Sequence, residues 1–305
     1  MGAALLGCFL VRIDLHTHTD RSDGTTSPTD LVRHAHARGL DVLGLTDHDT
    51  TESWAEAADA AERTGLVLVR GMEISCKLAG YGVHLLAYLP DPTHEGLAAE
   101  LERILAGRNA RLPATLGKLR ELGIDIDAAD VHRLAGEAAA MGRPHVADAL
   151  VAKGVVASRR EAFNRFLGPQ GPAYVKRYAA DLVEMIGTVA SAGGVSVVAH
   201  PWASRHNHDA LDATGLAALK EAGLSGIEVD HQDHDRSTRE ALRAIGRDLD
   251  LVVTGSSDYH GDGKVDHEVG CNTTHPDEYE RLLALAEKAS VASGRTTPSV
   301  VGGRE

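Results

Sequence analysis

Short apolar segments of strand length alternate with amphipathic helical segments along most of this chain. The apolar segments lie at residues 9–15, 41–46, 66–69, 83–88, 195–199, 226–229 and 251–254. Helical patterns follow most of them, at residues 28–39, 51–64, 211–222, 237–248 and 277–293. This alternation predicts parallel strand–helix units, and about seven such units are enough to close an α/β barrel.

One long segment interrupts the alternation. Helical patterns dominate residues 95–122, 138–153 and 159–167, strand-like runs are scarce, and a rigid Gly-Pro-Gln-Gly-Pro loop follows at residues 168–172. We therefore predict that residues 1–95 and 181–305 form the barrel. Residues 96–180 are predicted to form a helical insertion subdomain.

Composition excludes several classes of protein. The chain has 31 Lys and Arg against 44 Asp and Glu, a net charge of −13, which argues against a basic face that binds duplex DNA or a membrane. No apolar stretch approaches the ~18 residues of a membrane span. The three cysteines, Cys8, Cys76 and Cys271, are too few and too far apart for a disulfide framework, so we expect a reducing, cytoplasmic location. Histidine is abundant at 17 residues, which indicates metal binding or proton transfer.

Metal-ligating side chains occur at or near six of the predicted strands. They are His16, His18 and Asp23, then His48, Glu73, His84, His200, and finally Asp258 and His260. Each has an ordinary alternative: a surface histidine pair, a capped turn, or a buried histidine that bonds to the backbone. Because the carboxyl ends of barrel strands meet at one rim, six coincidences favour a common site.

The donor types narrow the metal. Imidazole and carboxylate without thiolate suit Mn²⁺, Fe²⁺ or Zn²⁺, and nine ligands are enough for two or three ions. Three divalent ions against the carboxylates of Asp23, Glu73 and Asp258 leave a local charge of about +3, which favours an anionic substrate. Clustered divalent ions activate water and stabilise the attacking and leaving oxygens of phosphoryl transfer.

Seven motifs together resemble the PHP (polymerase and histidinol phosphatase) superfamily. They are His16-x-His18, Ser22-Asp-Gly24, Thr46-Asp-His-Asp49, Gly71-Met-Glu-Ile-Ser75, His84, Ala199-His-Pro201 and Ser257-Asp-Tyr-His260. The resemblance implies a distorted (β/α)₇ PHP barrel with three divalent ions, Mn²⁺ or alternatively Fe²⁺ or Zn²⁺. The same resemblance implies a ligand set for each ion. The first ion would be held by His16, His18, Glu73 and Asp258. The second would be held by Glu73, His84 and His200, and the third by Asp23, His48 and His260. Glu73 would then bridge two ions and be required for catalysis.

Motifs in the insertion resemble one branch of that superfamily. They are Gly142-Arg-Pro-His-Val-Ala147, Phe163-Asn-Arg-Phe-Leu-Gly168 and Pro172-Ala-Tyr-Val-Lys176. The branch removes phosphate from 3′,5′-bisphosphonucleotides, and some members trim short RNA. The resemblance implies that the insertion covers the substrate and that Arg143 and His145 face its phosphate as catalytic and binding residues. Arg143 could instead begin a helix on a solvated surface.

Lys176 and His231 are further substrate-binding candidates. Lys176 is equally consistent with solvated surface, and His231 could equally support a ligand from behind. The sequence as a whole predicts a metal-dependent phosphatase that acts on small phosphorylated nucleotides, chiefly the 3′-phosphate of adenosine 3′,5′-bisphosphate, and on short oligoribonucleotides. The alternatives are a histidinol-phosphate phosphatase and a non-catalytic metal-binding accessory module. No duplex DNA or membrane partner is expected.

Overall fold

The structure, a computed structural model, describes residues 11–302 except residues 137, 140 and 204. Eight strands form one sheet. They are β1 (Ile13–Asp14), β2 (Val42–Leu45), β3 (Val67–Leu78), β4 (Tyr81–Tyr88), β5 (Ala180–Asp181), β6 (Val195–Val198), β7 (Gly226–Asp230) and β8 (Val252–Gly255).

Eleven helices accompany this sheet in the described part of the chain. They are α1 (Pro28–Ala37), α2 (Trp54–Thr64), α3 (Glu95–Glu121), α4 (Ala128–Ala135), α5 (Arg143–Ala152), α6 (Arg159–Ala162), α7 (Leu182–Ser191), α8 (Arg205–Ala210), α9 (Ala213–Glu221), α10 (Arg236–Asp248) and α11 (Pro276–Ser293). A π-helical turn, Phe163–Leu167, continues α6, and a short 3₁₀ turn spans Gly261–Gly263.

Seven of the strands form a nearly closed barrel. Their order is β1-β2-β3-β4-β6-β7-β8, while β5 pairs with the outer part of β3. A bridge between Thr17 and Tyr259 links the chain beyond β1 to the chain beyond β8. The predicted seven-stranded α/β barrel is thereby confirmed.

The expectation of uniformly parallel units is wrong for β4. This strand runs antiparallel to both β3 and β6. Only Ala79 and Gly80 separate β3 from β4, and both have positive φ, 50° and 87°. A two-residue turn of this kind makes a hairpin, whereas a parallel connection needs a dozen or more residues. The hairpin also extends β3 well beyond the predicted segment 66–69.

Several element boundaries differ from the sequence pattern. Of the predicted strand 9–15, residues 9 and 10 lie outside the described residues, and the ladder comprises only Ile13 and Asp14. The helix predicted at 138–153 begins at Arg143, because Gly142 is extended and proline occupies the first turn. Three helices, α4, α7 and α8, have no counterpart among the predicted segments.

The insertion has an apolar core of its own. Leu116, Leu119, Val131, Val146 and Leu150 are among its buried members, and they form a cluster separate from those of the barrel. The first half of α3 instead packs into the barrel core. Helix α3 therefore belongs to both cores and connects them. No helix in the described ranges is long and apolar enough to cross a membrane.

Candidate metal centre

The Glu73 carboxylate lies at the centre of five histidine rings. It is 1% exposed and projects from the middle of β3 into the rim of the barrel. The five ring nitrogens lie within 3.4 Å of it. Oε2 is 3.4 Å from His16 Nε2, 3.2 Å from His18 Nε2 and 3.0 Å from His48 Nδ1, and Oε1 is 2.8 Å from His84 Nδ1 and 3.1 Å from His200 Nε2. The two carboxylate oxygens thus face different groups of histidines, as a bridging ligand requires.

A second carboxylate completes one donor group. Asp258 Oδ1 lies 3.5 Å from His16 Nε2 and 3.4 Å from His18 Nε2, and the two ring nitrogens are 3.0 Å apart. Ligand atoms that bind one ion at about 2.0–2.2 Å are roughly 3.0–3.6 Å from each other in tetrahedral or octahedral geometry. The observed separations match that requirement.

A third carboxylate forms the other donor group. Asp23 Oδ1 lies 3.1 Å from His260 Nε2, and Oδ2 lies 3.6 Å from His48 Nε2. The donors of His18, Asp23, His48 and His260 all lie within 4.8 Å of one another. All nine side chains named from the sequence therefore lie in one continuous cluster.

The cluster fits a group of divalent cations. Asp23 Oδ1 is buried yet accepts no hydrogen bond from any residue that the structure describes. Burial acts to raise the pKa of Asp23, Glu73 and Asp258, but neighbouring basic side chains, led by His48, His84 and Lys264 respectively, hold each pKa well below its ordinary value. Buried ionised carboxylates require counter-charges, and their chemistry with imidazole suits a divalent metal site.

The backbone is strained where three of these strands deliver their side chains. Asp49, His200 and Asp258 have positive φ values of 56°, 29° and 50°. Such a conformation costs about 1–3 kcal/mol for a residue other than glycine and concentrates at functional sites. The packing around the rim maintains it.

Two carboxylates that were not predicted as site residues support the centre. Glu228 is fully buried on β7; its Oε1 lies 3.1 Å from His16 Nδ1, and its Oε2 accepts the backbone N–H of His200 at 2.9 Å. Asp47 accepts hydrogen bonds from the Thr19 backbone and from Ser22 Oγ at 2.8 and 2.6 Å. An acidic residue within the apolar run of β7 was the available signal for Glu228.

Four arginines cluster where the insertion meets the rim. They are Arg108, Arg111, Arg143 and Arg177. The Arg108 side chain reaches the barrel, where its Nε donates to Asp49 Oδ2 at 2.6 Å and its Nη2 to Ser75 Oγ at 2.8 Å. Since Asp49 follows His48 directly, the cluster lies beside the metal centre. Of these four, only Arg143 is predicted from the sequence.

This arginine cluster carries uncompensated positive charge. Arg111 is only 7% exposed and makes no hydrogen bond or ion pair with the described part of the chain. Burial, followed by the charges of Arg143, Arg177 and Arg108, lowers the pKa of Arg111 to about 9. Burial and Arg108 similarly lower the pKa of Arg177 to about 10, although Asp49 acts against them. Cations crowded in this way favour an anionic ligand.

The insertion residues named from the sequence have different surroundings. Arg143 lies above the rings of Phe163 and Tyr174, at 5.2 and 5.3 Å, and donates to the Leu167 carbonyl at 2.9 Å. His145 is buried and accepts the Gly142 backbone N–H on Nδ1 at 3.0 Å.

His145 lies close enough to the centre to interact electrostatically with the Asp23 carboxylate. Burial lowers the pKa of His145, while Asp23 acts to raise it.

The two further substrate-binding candidates differ in position. His231 Nε2 lies 3.1 Å from Asp258 Oδ2. Lys176 is exposed, and its neighbour Arg177 is the residue that joins the arginine cluster.

Arg159, which the sequence does not predict as a site residue, connects the insertion to the loop that carries Asp23. Its Nη1 donates to the Asp23 carbonyl at 3.0 Å, while its Nε and Nη2 donate to the Asp148 carboxylate at 2.5 and 2.6 Å. The contact joins residues 136 positions apart, so no local pattern indicates it.

The chain is similar in sequence to proteins of known family. Residues 14–113 match the PHP domain model. The 3′,5′-nucleoside bisphosphate phosphatase of Chromobacterium violaceum is 32% identical over 86% of this chain and 91% of its own length. A 5′-3′ exoribonuclease of Haemophilus influenzae is 36% identical over 82% of this chain and 90% of its own length. The chain belongs to the PHP family.

A solved structure extends the similarity through the insertion. It is a protein of Bifidobacterium adolescentis described as a metal-dependent phosphoesterase, 36% identical, with a TM-score of 0.85 over 90% of this chain and 96% of that one. The matched PHP domain segment ends within α3, and it contains six of the nine donor residues. These are His16, His18, Asp23, His48, Glu73 and His84.

Proposed function

We propose that this PHP protein is a metal-dependent phosphatase that removes the 3′-phosphate from 3′,5′-bisphosphonucleotides. The observation that carries the proposal is the position of the arginine cluster directly beside the histidine–carboxylate centre. A substrate with two phosphates would place one at each site. The named activity of the C. violaceum relative supports the same reaction.

The proposed ligand set is the one described above, with Glu73 shared between two of three ions and Mn²⁺ as the metal. When bound, such ions polarise a phosphate ester and lower the pKa of water, which provides the nucleophile. Asp23, Glu73 and Asp258 would hold these ions as buried anions. Glu228 would orient His16 through its second ring nitrogen, and Asp47 would fix the loop that carries Asp23.

The second phosphate would bind the arginine cluster. Arg111 and Arg177 make no ion pair in the described ranges, so a phosphate dianion would be their first full counter-charge. Guanidinium groups bind phosphate with two parallel hydrogen bonds. Arg143 contributes from α5, with Phe163 and Tyr174 beside it as apolar surfaces for the nucleoside. Residues 96–180 would then act as the cover of the site.

The same arrangement suits the 5′ end of a short RNA. If the 5′-phosphate binds the arginines, the bond presented to the centre is the 3′ ester, whether it ends in a free phosphate or continues to another nucleotide. His145 is buried beside Asp23 and would donate a hydrogen bond or a proton to the leaving oxygen. The relative named as a 5′-3′ exoribonuclease supports this second substrate class.

Arg143→Ala tests the proposal. Loss of a charge-assisted phosphate contact costs roughly 2–4 kcal/mol, so kcat/KM for a 3′,5′-bisphosphonucleotide should fall about 30- to 1000-fold. The loss should be much smaller for p-nitrophenyl phosphate, which lacks a second phosphate. Metal content should not change, and Arg143→Lys should recover only part of the activity.

The matched control is Arg120→Ala, which removes an exposed arginine from α3 and should leave both rates unchanged. Equal losses on both substrates would contradict a specificity role for Arg143. Histidinol phosphate and a 5′-mononucleotide complete the panel. If histidinol phosphate were the preferred substrate, the proposed substrate class would be wrong.

A further inference from the structure

A second group of metal-ligating side chains lies beside the described centre. His231, Asp233 and His267 offer one donor atom each, and these atoms all lie within 4.8 Å of one another. His231 and Asp233 belong to the loop after β7, and His267 to the loop before α11. The group contains none of the nine donors discussed above.

The backbone determines which nitrogen of His267 is free. Its Nδ1 lies 2.7 Å from the Val265 carbonyl oxygen and must donate a proton to it. Its Nε2 therefore carries a bare lone pair. This nitrogen is buried, in a residue only 6% exposed, and it has no hydrogen-bond partner in the part of the chain that the structure describes. A histidine held by a backbone carbonyl in this tautomer is arranged as a metal ligand typically is.

His231 has the opposite arrangement. Its Nε2, 3.1 Å from Asp258 Oδ2, bonds to a carboxylate and so carries the proton. Its Nδ1 accepts the Asp233 backbone N–H at 3.1 Å. The Nδ1 lone pair is thus directed toward the Asp233 backbone, and an ion would replace this hydrogen bond and share the Asp233 carboxylate with the Lys264 ammonium, which lies 4.0 Å from Oδ2.

Asp233 places one carboxylate oxygen near each of these ring nitrogens. Its Oδ1 lies 3.9 Å from His267 Nε2, and its Oδ2 lies 3.9 Å from His231 Nδ1. Both distances are too long for a hydrogen bond. Donors bound to one tetrahedral ion at about 2.0–2.2 Å lie roughly 3.3–3.6 Å apart, so the three donors would draw together by a few tenths of an ångström around a cation.

We propose that His231, Asp233 and His267 form an additional Zn²⁺ site, distinct from the Glu73 centre. Two imidazoles and one carboxylate with water in the remaining position are a ligand set that Zn²⁺ commonly takes. Asp233 is half exposed, so the ion exchanges with solvent. The Nε2–H of His231 links this ion to Asp258, and binding there strengthens the hydrogen bond that orients a ligand of the main centre.

Zinc stoichiometry tests the site. Full-length protein is stripped with chelator, equilibrated with Zn²⁺ by dialysis and analysed for metal. Asp233→Asn and His267→Ala should each bind one Zn²⁺ fewer than the parent protein. Asp233→Asn changes an exposed side chain, so it remains informative if His267→Ala folds poorly.

His234→Ala is the matched control. His234 is also buried with an unpartnered Nε2, but its donor lies outside the three-residue group, so zinc content should match the parent. A Glu73→Ala variant separates the two sites. It should keep the zinc of the additional site, and adding Asp233→Asn to Glu73→Ala should remove one further Zn²⁺. Equal zinc content in the parent and both site variants would overturn the proposal.

Discussion

Replacing Arg111 with methionine should stabilise the ligand-free protein while it impairs turnover. The Arg111 guanidinium is buried on α3 beside three other arginines and has no carboxylate partner among the described residues. An unpaired buried charge destabilises a fold, whereas a methionine of similar length fills the same space without that cost. The substitution therefore separates the stability of the protein from its function.

The magnitude follows from the perturbed pKa. Burial and the neighbouring arginines lower the pKa of Arg111 from its ordinary value to about 9. At ~1.4 kcal/mol per pKa unit, this corresponds to an upper limit of about 5 kcal/mol, part of which water and small movements relieve. Replacing buried ionic groups with apolar ones stabilises proteins by about 1–4 kcal/mol. We expect about 1–3 kcal/mol for Arg111→Met, or roughly 2–6 °C in Tm.

The opposite change in stability is expected for Arg108→Met. That substitution leaves the fully buried Asp49 carboxylate without its guanidinium, which should cost about 3–5 kcal/mol. Arg120→Met, on the exposed face of the same helix, should change stability by less than about 0.5 kcal/mol. Thermal or urea unfolding of chelator-treated protein measures all three variants.

Steady-state kinetics test whether Arg111 contributes to substrate binding. Arg111→Met should lower kcat/KM for a 3′,5′-bisphosphonucleotide about 10- to 150-fold, since a hydrogen bond to a charged group contributes about 1.5–3 kcal/mol. Phosphate should raise the Tm of the parent more than that of the variant. If Arg111→Met destabilised the protein as Arg108→Met does, Arg111 would have a structural partner and the reasoning would fail.

Two further substitutions probe how the insertion and β7 support the centre. Arg159→Ala removes the donor to the Asp23 carbonyl, so amide exchange in residues 143–167 should accelerate about 10- to 100-fold; unchanged exchange would show that other contacts hold the insertion in place. Glu228→Gln weakens the acceptor for His16, and metal affinity in equilibrium dialysis should fall about 10- to 100-fold, whereas Glu240→Gln on the exposed face of α10 should not change it. Equal affinity in both variants would contradict the orienting role of Glu228.

The sequence by itself determined the barrel and the cluster of nine donors. Strand length and apolar character are local properties, and residues that follow parallel strands must meet at one rim. His16 and His18 share a side because alternate residues of an extended segment point the same way. For these reasons seven of the nine side chains meet as the spacing indicates, whereas Glu73 lies within β3 and His84 on the antiparallel β4, and the hairpin brings these two to the same rim.

Only the tertiary structure decided which arginines face that rim. Arg108 and Arg111 occur in a helical pattern rich in charged residues, where a solvated surface is the usual outcome. Their burial arises because the segment around Arg143 and Arg177 folds back over α3, and the contacts join residues more than thirty positions apart. Long-range packing likewise placed Glu228 behind His16. Local sequence sets helix and strand, but the environment of a charge depends on what packs against it from elsewhere in the chain.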